Sequence, residues 1–130
     1  MYLVYIIKSD NLSYVGMTND FFRRWRQHNG YIKGGAKYTK KRDFWYPICI
    51  IDGFPDKKSA CQCEWRLKHC KPFKRARGRV QFLSKFISEK QKWTSKSDDI
   101  ITQQLTIYID EDYKDLLNSD LIPVRELHWK

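Results

Sequence analysis

The first 29 residues decide the fold, and they read MYLVYIIK (1–8), SDNL (9–12), SYVGM (13–17) and TNDFFRRWRQHN (18–29). The first and third segments are rich in β-branched and aromatic residues, as is typical of strands. The SDNL segment between them has turn chemistry, so the two segments are predicted to pair as a β-hairpin. Thr18, Asn19 and Asp20 then offer caps for a helix that is expected to run from about Asp20 to Asn29.

The middle of the chain predicts one more strand and two more helices. A third strand is expected over Trp45 to Ile51, with Pro47 indicating an edge position or a bulge. Ser59 is expected to cap a second helix that reaches about Cys70. A third helix is predicted from about Val80 to Lys90.

The last segment predicts a strand over Leu105 to Ile109 and a short acidic helix over Asp112 to Asn118. The expected fold class is therefore α/β (α+β), with a small mixed three-stranded sheet that starts with a β-hairpin and is flanked by helices. Residues 1–92 are expected to form the main domain. Residues 93–130 are expected to form an acidic extension, a strand plus a short helix, packed on that domain.

Charge is distributed unevenly along the chain, whose formal net charge is +10. Residues 1–97 hold 22 Lys and Arg against 7 Asp and Glu, whereas residues 98–130 hold 3 against 8. A strongly basic body indicates a polyanionic partner, most commonly nucleic acid. A soluble protein with a high isoelectric point and no such partner is the alternative at this stage.

Several classes of protein are not expected. No apolar run approaches the roughly 20 residues that a membrane helix needs, and residues 1–8 are too short and too soon polar for a signal peptide. An intracellular protein is therefore expected, with no membrane partner and with four cysteines that form no disulfides. No zinc site is predicted, because the spacing of Cys61, Cys63, His69 and Cys70 fits no common zinc pattern.

Five residues could together carry hydrolytic chemistry. Tyr5 and Tyr14 lie on the two strands of the hairpin, and Arg24 and His28 are four apart on one helix face. Glu64 lies on the second predicted helix. A proton acceptor, an anion-stabilising cation and one carboxylate are the components that phosphodiester hydrolysis needs.

Residues 1–70 resemble the GIY-YIG endonucleases. Leu3-Val4-Tyr5 stands where that family has G-I-Y, and Tyr14-Val15-Gly16 stands for Y-I-G, although Leu3 replaces the family glycine. The segment GMTNDFFRRWRQHN (16–29) is similar to the family's arginine–histidine segment. Further matches are most similar to the structure-selective subfamily, which cuts flaps and Holliday junctions: Gly34-Gly35-Ala36, Trp45, Gly53-Phe54-Pro55 and Cys63-Glu64-Trp65.

The resemblance implies a metal-dependent DNA endonuclease acting in DNA repair or recombination, with residues 1–92 as its nuclease domain. The implied catalytic residues are Tyr5, Tyr14, Arg24, His28 and Glu64. Glu64 would hold one Mg²⁺ or Mn²⁺. Either Tyr5 or His28 would be the general base, and the sequence leaves that choice open. The related eukaryotic subunit also carries a zinc RING domain. No Cys or His array follows Cys70 here, so no RING is expected. Any protein scaffold would therefore have to bind without a RING.

Basic residues around these positions are expected to grip DNA phosphates, which gives affinity without base reading. They fall in the loop 31–42 and in the acid-free stretch 65–88. The candidates are Lys33, Lys37, Lys40, Lys41, Arg42, Arg66, Lys71, Lys74, Arg75, Arg77 and Arg79.

Ordinary structural explanations exist for each catalytic candidate. Both tyrosines could be strand aromatics, His28 could sit at a helix end, and Glu64 could be a surface partner of Lys68. Five residue types in family order and spacing favour the shared site. The alternatives are a non-catalytic DNA-binding module of the same fold, and a site-specific nuclease of the homing or restriction type.

Overall fold

The computed structural model describes residues 1–70 and 75–129. The strands are β1 (Tyr2–Ser9), β2 (Leu12–Thr18), β3 (Tyr46–Phe54), β4 (Thr106–Ile109) and β5 (Val124–Glu126). The α-helices are α1 (Phe21–His28), α2 (Lys57–Lys68) and α3 (Ala76–Glu89). Three short 3₁₀ helices cover Tyr38–Lys41, Ile100–Gln103 and Glu111–Leu116. Among the described residues, no helix has both the length and the apolar character that crossing a bilayer requires.

The strands form one sheet in the order β2-β1-β3-β4-β5. The predicted hairpin pairs β1 with β2, and β3 lies antiparallel on the other side of β1. The predicted fold class is confirmed, but the sheet has five strands instead of three. It is mixed because β4 and β5 are parallel, whereas the first three strands are all antiparallel to their neighbours.

Strand β1 lies between β2 and β3 and is buried on both faces of the sheet. Val4 and Ile6 face the larger core, which α2 and α3 cover, whereas Tyr5 and Ile7 face a second core with Phe21 of α1. A strand covered on both faces has no polar side, which explains why MYLVYII is a continuous apolar run. Alternation along β1 therefore places Tyr5 on the face that carries α1.

The starts of helices α2 and α3 differ from the expectations. Asp56 caps α2 by accepting the amide of Ser59 at 2.8 Å, so the cap lies three residues before the predicted one. Helix α3 begins at Ala76, four residues before the predicted start. At Pro47 the bulge alternative is confirmed, because the β1–β3 register shifts between Ile6 and Ile7, opposite the proline, inside the sheet and not at its edge.

The C-terminal segment crosses the sheet and returns to α1. Strand β4 pairs with β3, and the exposed β5 follows alongside β4. Beyond β5, the Trp129 ring packs edge-on against Phe21 and Trp25, with both centroid distances 5.2 Å. The predicted boundary between a main domain (1–92) and an extension (93–130) stays a prediction. Trp93, the first residue beyond that boundary, is fully buried and stacks on Phe86 of α3.

Candidate active site

Tyr5 is the buried centre of the site. Its side chain is 1% exposed and contacts the Phe21 ring edge-on at 5.2 Å. Gly16 lies opposite Tyr5 in the hairpin register, and a Cβ atom on Gly16 would overlap the Tyr5 hydroxyl. The glycine of the Tyr14-Val15-Gly16 motif is therefore required for space, because it lets the phenol pass across β2.

His28 lies at the end of α1 and points into the sheet. It is 3% exposed, and its Nε2 atom is 2.6 Å from the Tyr5 hydroxyl. Its Nδ1 atom is 3.0 Å from the hydroxyl of Thr39. Tyr14 packs against the imidazole edge-on at 5.2 Å. His28 therefore does not act as an exposed helix cap; Asn29 takes the C-cap position.

Arg24 lies one turn before His28 on α1. Its Nη1 atom donates to the Gln27 side chain and to the Gly34 carbonyl, both at 2.7 Å. The loop comes this close because of its two glycines. Gly34 has a φ of +112°, and a Cβ atom on Gly35 would overlap the Gln27 carbonyl oxygen. The loop thus fixes the guanidinium position.

Glu64 reaches the site from α2. Its carboxylate is 3.4 Å from Lys68 Nζ, and that ammonium lies 5.1 Å from the centre of the Tyr14 ring. The surface pair expected as the ordinary explanation is thus present, but it lies against a tyrosine of the candidate site. Lys68 was not predicted to belong to the site.

Burial and nearby cations set the protonation of the central pair. Burial is the main cause that raises the pKa of Tyr5 well above its usual value of about 10. Burial, and then the charges of Arg24 and Lys68, lower the pKa of His28 to about 4. At neutral pH the Tyr5 phenol is therefore protonated and the His28 imidazole is neutral.

A divalent metal would have one protein carboxylate at this site. Among residues 1–70 and 75–129, no group of three or more His, Cys, Asp or Glu side chains is placed to hold a metal. Mg²⁺ keeps several waters and commonly uses one or two carboxylates plus substrate phosphates. Glu64, a hard oxygen donor whose carboxylate lies beside the Lys68 ammonium, fits such an ion.

The predicted DNA-binding residues divide by exposure. Lys33, Lys37, Lys40, Lys41, Arg75 and Arg77 are exposed. Arg42 is partly engaged within the protein, with its Nε atom 3.9 Å from the Asp10 carboxylate. Lys71 and Lys74 lie outside the described residues.

The burial of Arg79 argues against its predicted phosphate contact, whereas the contact predicted for Arg66 stays a prediction. Arg79 is 8% exposed, donates from Nε to the Ser13 hydroxyl at 2.9 Å and from Nη1 to the Leu67 carbonyl at 2.7 Å. It ties α3 to β2 and α2, because a buried guanidinium must have its hydrogen bonds satisfied. Arg66 is half-buried and donates from Nε to the Trp93 carbonyl at 2.7 Å, so this donor is not free for DNA.

Sequence reasoning missed Thr39, which is fully buried and bonded to His28. Nothing in the local sequence distinguishes this threonine from its neighbours in the basic loop. The available signal was the Gly34-Gly35 pair, because two adjacent glycines often mark a close approach of backbone. That approach brings the following 3₁₀ helix, Tyr38–Lys41, against α1.

The site combines two tyrosines of a hairpin, an arginine and a histidine of one helix, and a glutamate of another. This arrangement is that of a catalytic α/β domain. The GIY-YIG catalytic domain matches residues 1–76, more than half of the chain. The chain belongs to the GIY-YIG family, and the resemblance predicted from its motifs is confirmed. Nucleases of this family typically use a divalent metal.

Curated relatives are structure-specific endonuclease subunits. The chain is 44% identical over 72 residues to "Structure-specific endonuclease subunit slx1" of Schizosaccharomyces japonicus, covering 52% of this chain and 26% of that protein. The chain is 45% identical over 69 residues to the subunit of the same name in Schizosaccharomyces pombe, and the match covers 49% of this chain and 26% of that protein. That of Malassezia globosa is 43% identical over 68 residues, covering 50% and 15%. The match thus spans about a quarter or less of each relative's length.

Proposed function

We propose that the protein is a metal-dependent endonuclease that hydrolyses phosphodiester bonds in branched DNA, such as flaps and junctions, during repair or recombination. The observation that carries the proposal is the buried hydrogen bond between Tyr5 and His28, with Arg24 preceding His28 on the same helix. The relatives' names support the preference for DNA structure over DNA sequence. Their description as subunits supports a further protein partner, and a DNA substrate supports an intracellular location.

Each of the site residues has a separate role in the proposed reaction. Arg24 binds the non-bridging oxygens and stabilises the charge that develops on them. Glu64 holds Mg²⁺ or Mn²⁺, which when bound supplies Lewis-acid stabilisation of the leaving oxygen. Tyr14 borders the site beside Lys68 and positions the phosphate.

Tyr5 and His28 move the proton as a pair. A phenol whose pKa is raised by burial cannot act as base by first ionising at neutral pH. Tyr5 instead takes a proton from the attacking water as its own proton passes to His28 Nε2. The cations that disfavour imidazolium in the free protein are Arg24 and Lys68. An incoming phosphate neutralises them, so DNA binding strengthens His28 as the final acceptor.

Cleavage assays on several DNA structures test the function directly. A 5′-labelled flap, a four-way junction and a linear duplex should be incubated with the protein while Mg²⁺ or Mn²⁺ is titrated. Metal-dependent cutting of the branched substrates in preference to the duplex is expected. Binding without cutting at any metal concentration would identify a DNA-binding module, and efficient cutting of one linear sequence would identify a site-specific nuclease.

The pH dependence should reveal the Tyr5–His28 pair. Protonated His28 cannot accept the Tyr5 proton, so kcat/KM should be constant at neutral pH and fall as the pH drops towards about 4. An unperturbed histidine would instead place this limb near pH 6.5. Single-turnover rates of bound DNA should fall at a higher pH than kcat/KM, because bound phosphate raises the pKa of His28.

Two variants provide the comparison for this profile. His28→Ala and Tyr5→Phe should both slow cleavage, and His28→Ala should also remove the low-pH limb. Circular dichroism should be recorded at each pH to check that the protein stays folded. His28 in the unfolded chain binds a proton below about pH 6.5, whereas in the folded protein it does so only near pH 4, so the free energy of unfolding decreases as the pH falls between these values. A His28→Ala profile identical to wild type would eliminate the histidine as proton acceptor.

Exposed basic residues should determine how DNA is held. Arg75 and Arg77 are exposed near the start of α3, so their joint replacement by Glu should weaken binding to branched and linear DNA by a similar factor. The slope of log K against log salt should shrink by roughly 0.9 for each lost phosphate contact. A salt series of binding constants measures this, and single-turnover cleavage at saturating DNA should survive.

Lys85 and Lys90 provide a matched control. They are exposed and lie towards the other end of α3, and replacing both by Glu changes the net charge equally. An equal loss of affinity in both double variants would mean that overall charge, and not a local contact, holds the DNA.

A further inference from the structure

A continuous chain of buried hydrogen bonds runs behind the Tyr5 hydroxyl. His28 Nε2 is 2.6 Å from Tyr5 Oη, and His28 Nδ1 is 3.0 Å from Thr39 Oγ1. Thr39 Oγ1 is in turn 2.8 Å from the carbonyl oxygen of Ala36. Thr39 is fully buried, so bulk water does not contact this end of the chain.

The hydrogens available on Thr39 and His28 determine which atom donates in each of these hydrogen bonds. A carbonyl oxygen only accepts, so the single hydroxyl hydrogen of Thr39 points to Ala36. Thr39 Oγ1 then has only lone pairs to offer His28, and Nδ1 must carry the hydrogen between them. A neutral imidazole has one N–H, so Nε2 presents its lone pair and the Tyr5 hydroxyl donates to it.

We propose that Thr39 is a positioning residue that fixes His28 in the Nδ1–H tautomer, the form that can receive the Tyr5 proton. Its effect on the reaction rests on the proposed nuclease function, whereas the tautomer does not. When His28 gains the second proton, Thr39 still accepts from Nδ1, so no bond behind the imidazole has to change. The opposite tautomer would present N–H to Tyr5 and could not take its proton.

Thr39 is itself held from a second direction. Its carbonyl oxygen accepts from the indole nitrogen of the fully buried Trp45 at 2.9 Å. The Trp45 amide donates to the Asn29 side chain, and Asn29 is the C-cap of the helix that carries His28. The threonine and the histidine are therefore fixed to the same local framework, which keeps the 3.0 Å contact in register.

Nitrogen NMR of the whole protein tests the tautomer without any catalysis. The chain has three histidines, so ¹⁵N-histidine labelling gives few signals, and the His28→Ala spectrum assigns those of His28. At pH 7 the wild type should show a protonated Nδ1 and an unprotonated Nε2. Thr39→Ser keeps the hydroxyl and should show the same pattern. Thr39→Val keeps the shape but offers no acceptor, so the Nε2–H form should become substantial.

Cleavage kinetics on the same variants test the consequence. A wrong histidine tautomer can cost up to about 10⁴-fold in a hydrolase, and a fall of about 10²-fold in kcat is expected for Thr39→Val with DNA affinity unchanged. Thr39→Ser should stay within about threefold of wild type, which distinguishes the hydroxyl from general packing. Thr106→Val, at a half-buried threonine of β4, is the control for a lost hydroxyl elsewhere.

The outcomes separate the two hypotheses. An Nε2–H tautomer in the wild type, or a Thr39→Val protein with unchanged tautomer and rate, would overturn the role of Thr39. A wild-type protein with the expected tautomer that cuts no DNA would overturn the proposed function and leave the assignment of the tautomer in place.

Discussion

Replacing Glu64 with glutamine should abolish cleavage while DNA binding stays the same or becomes slightly tighter. The change keeps the size of the side chain but removes the anionic oxygen that a divalent ion requires. It also removes one negative charge next to bound phosphate. Metal-dependent cleavage of a flap substrate, measured under single-turnover conditions beside a binding titration, checks both parts of this expectation.

The Glu64→Gln variant should remain folded, so a loss of cleavage can be attributed to the active site. Within residues 1–70 and 75–129 the carboxylate has one ion pair, to Lys68 at 3.4 Å, and both side chains are partly exposed to solvent. Such pairs contribute about 0–1 kcal/mol, so the fold should tolerate the loss. Glu89→Gln, at an exposed acid at the end of α3, makes the same chemical change away from the site. Near-normal cleavage by Glu64→Gln in Mg²⁺ would remove Glu64 from the mechanism.

Arg24→Ala should lower the cleavage rate by about 10²-fold or more, the effect expected when one donor to the transition state is lost. Arg24 contacts the Gly34 carbonyl and acts electrostatically on both Tyr5 and His28. A single-turnover rate at saturating DNA isolates this step from binding.

The neighbouring arginine is the matched control for that loss. Arg23 has the same charge and lies on the same turn of α1, but its side chain is exposed and its backbone amide bonds to the Asp20 cap. Arg23→Ala should therefore cost far less than Arg24→Ala. Equal losses at the two positions would mean that the arginines act through general attraction of DNA and that no specific contact belongs to Arg24.

The fold could be predicted where local signals and burial agree. The hairpin and α1 follow from the apolar runs, the turn residues and the Asp20 cap, all of which act within a few residues. Strand β5 could not be predicted, because its three residues are exposed and, among the strands that the structure describes, it pairs only with β4. The buried position of Arg79 was also hidden, since arginine is normally exposed and its partners come from β2 and α2.

The candidate site shows the same limit. Tyr5, Tyr14, Arg24, His28 and Glu64 were found because they stand in ordered motifs, and their catalytic roles stay predictions. Thr39 and Lys68 were missed, because each enters the site through a contact between elements distant in sequence. Motif spacing identifies the residues that face the substrate more readily than the residues that hold them in place.

The packing of Trp129 on α1 couples the two ends of the chain energetically. Helix α1 has only eight residues, fewer than an isolated helix needs to persist in water, so its order depends on tertiary contacts. Part of that support comes from a residue more than fifty positions beyond the end of the family match. The local unfolding free energy of the helix that carries Arg24 and His28 is therefore set partly by the C-terminal tail, and undocking of the tail would increase amide hydrogen exchange in α1 before the sheet opens.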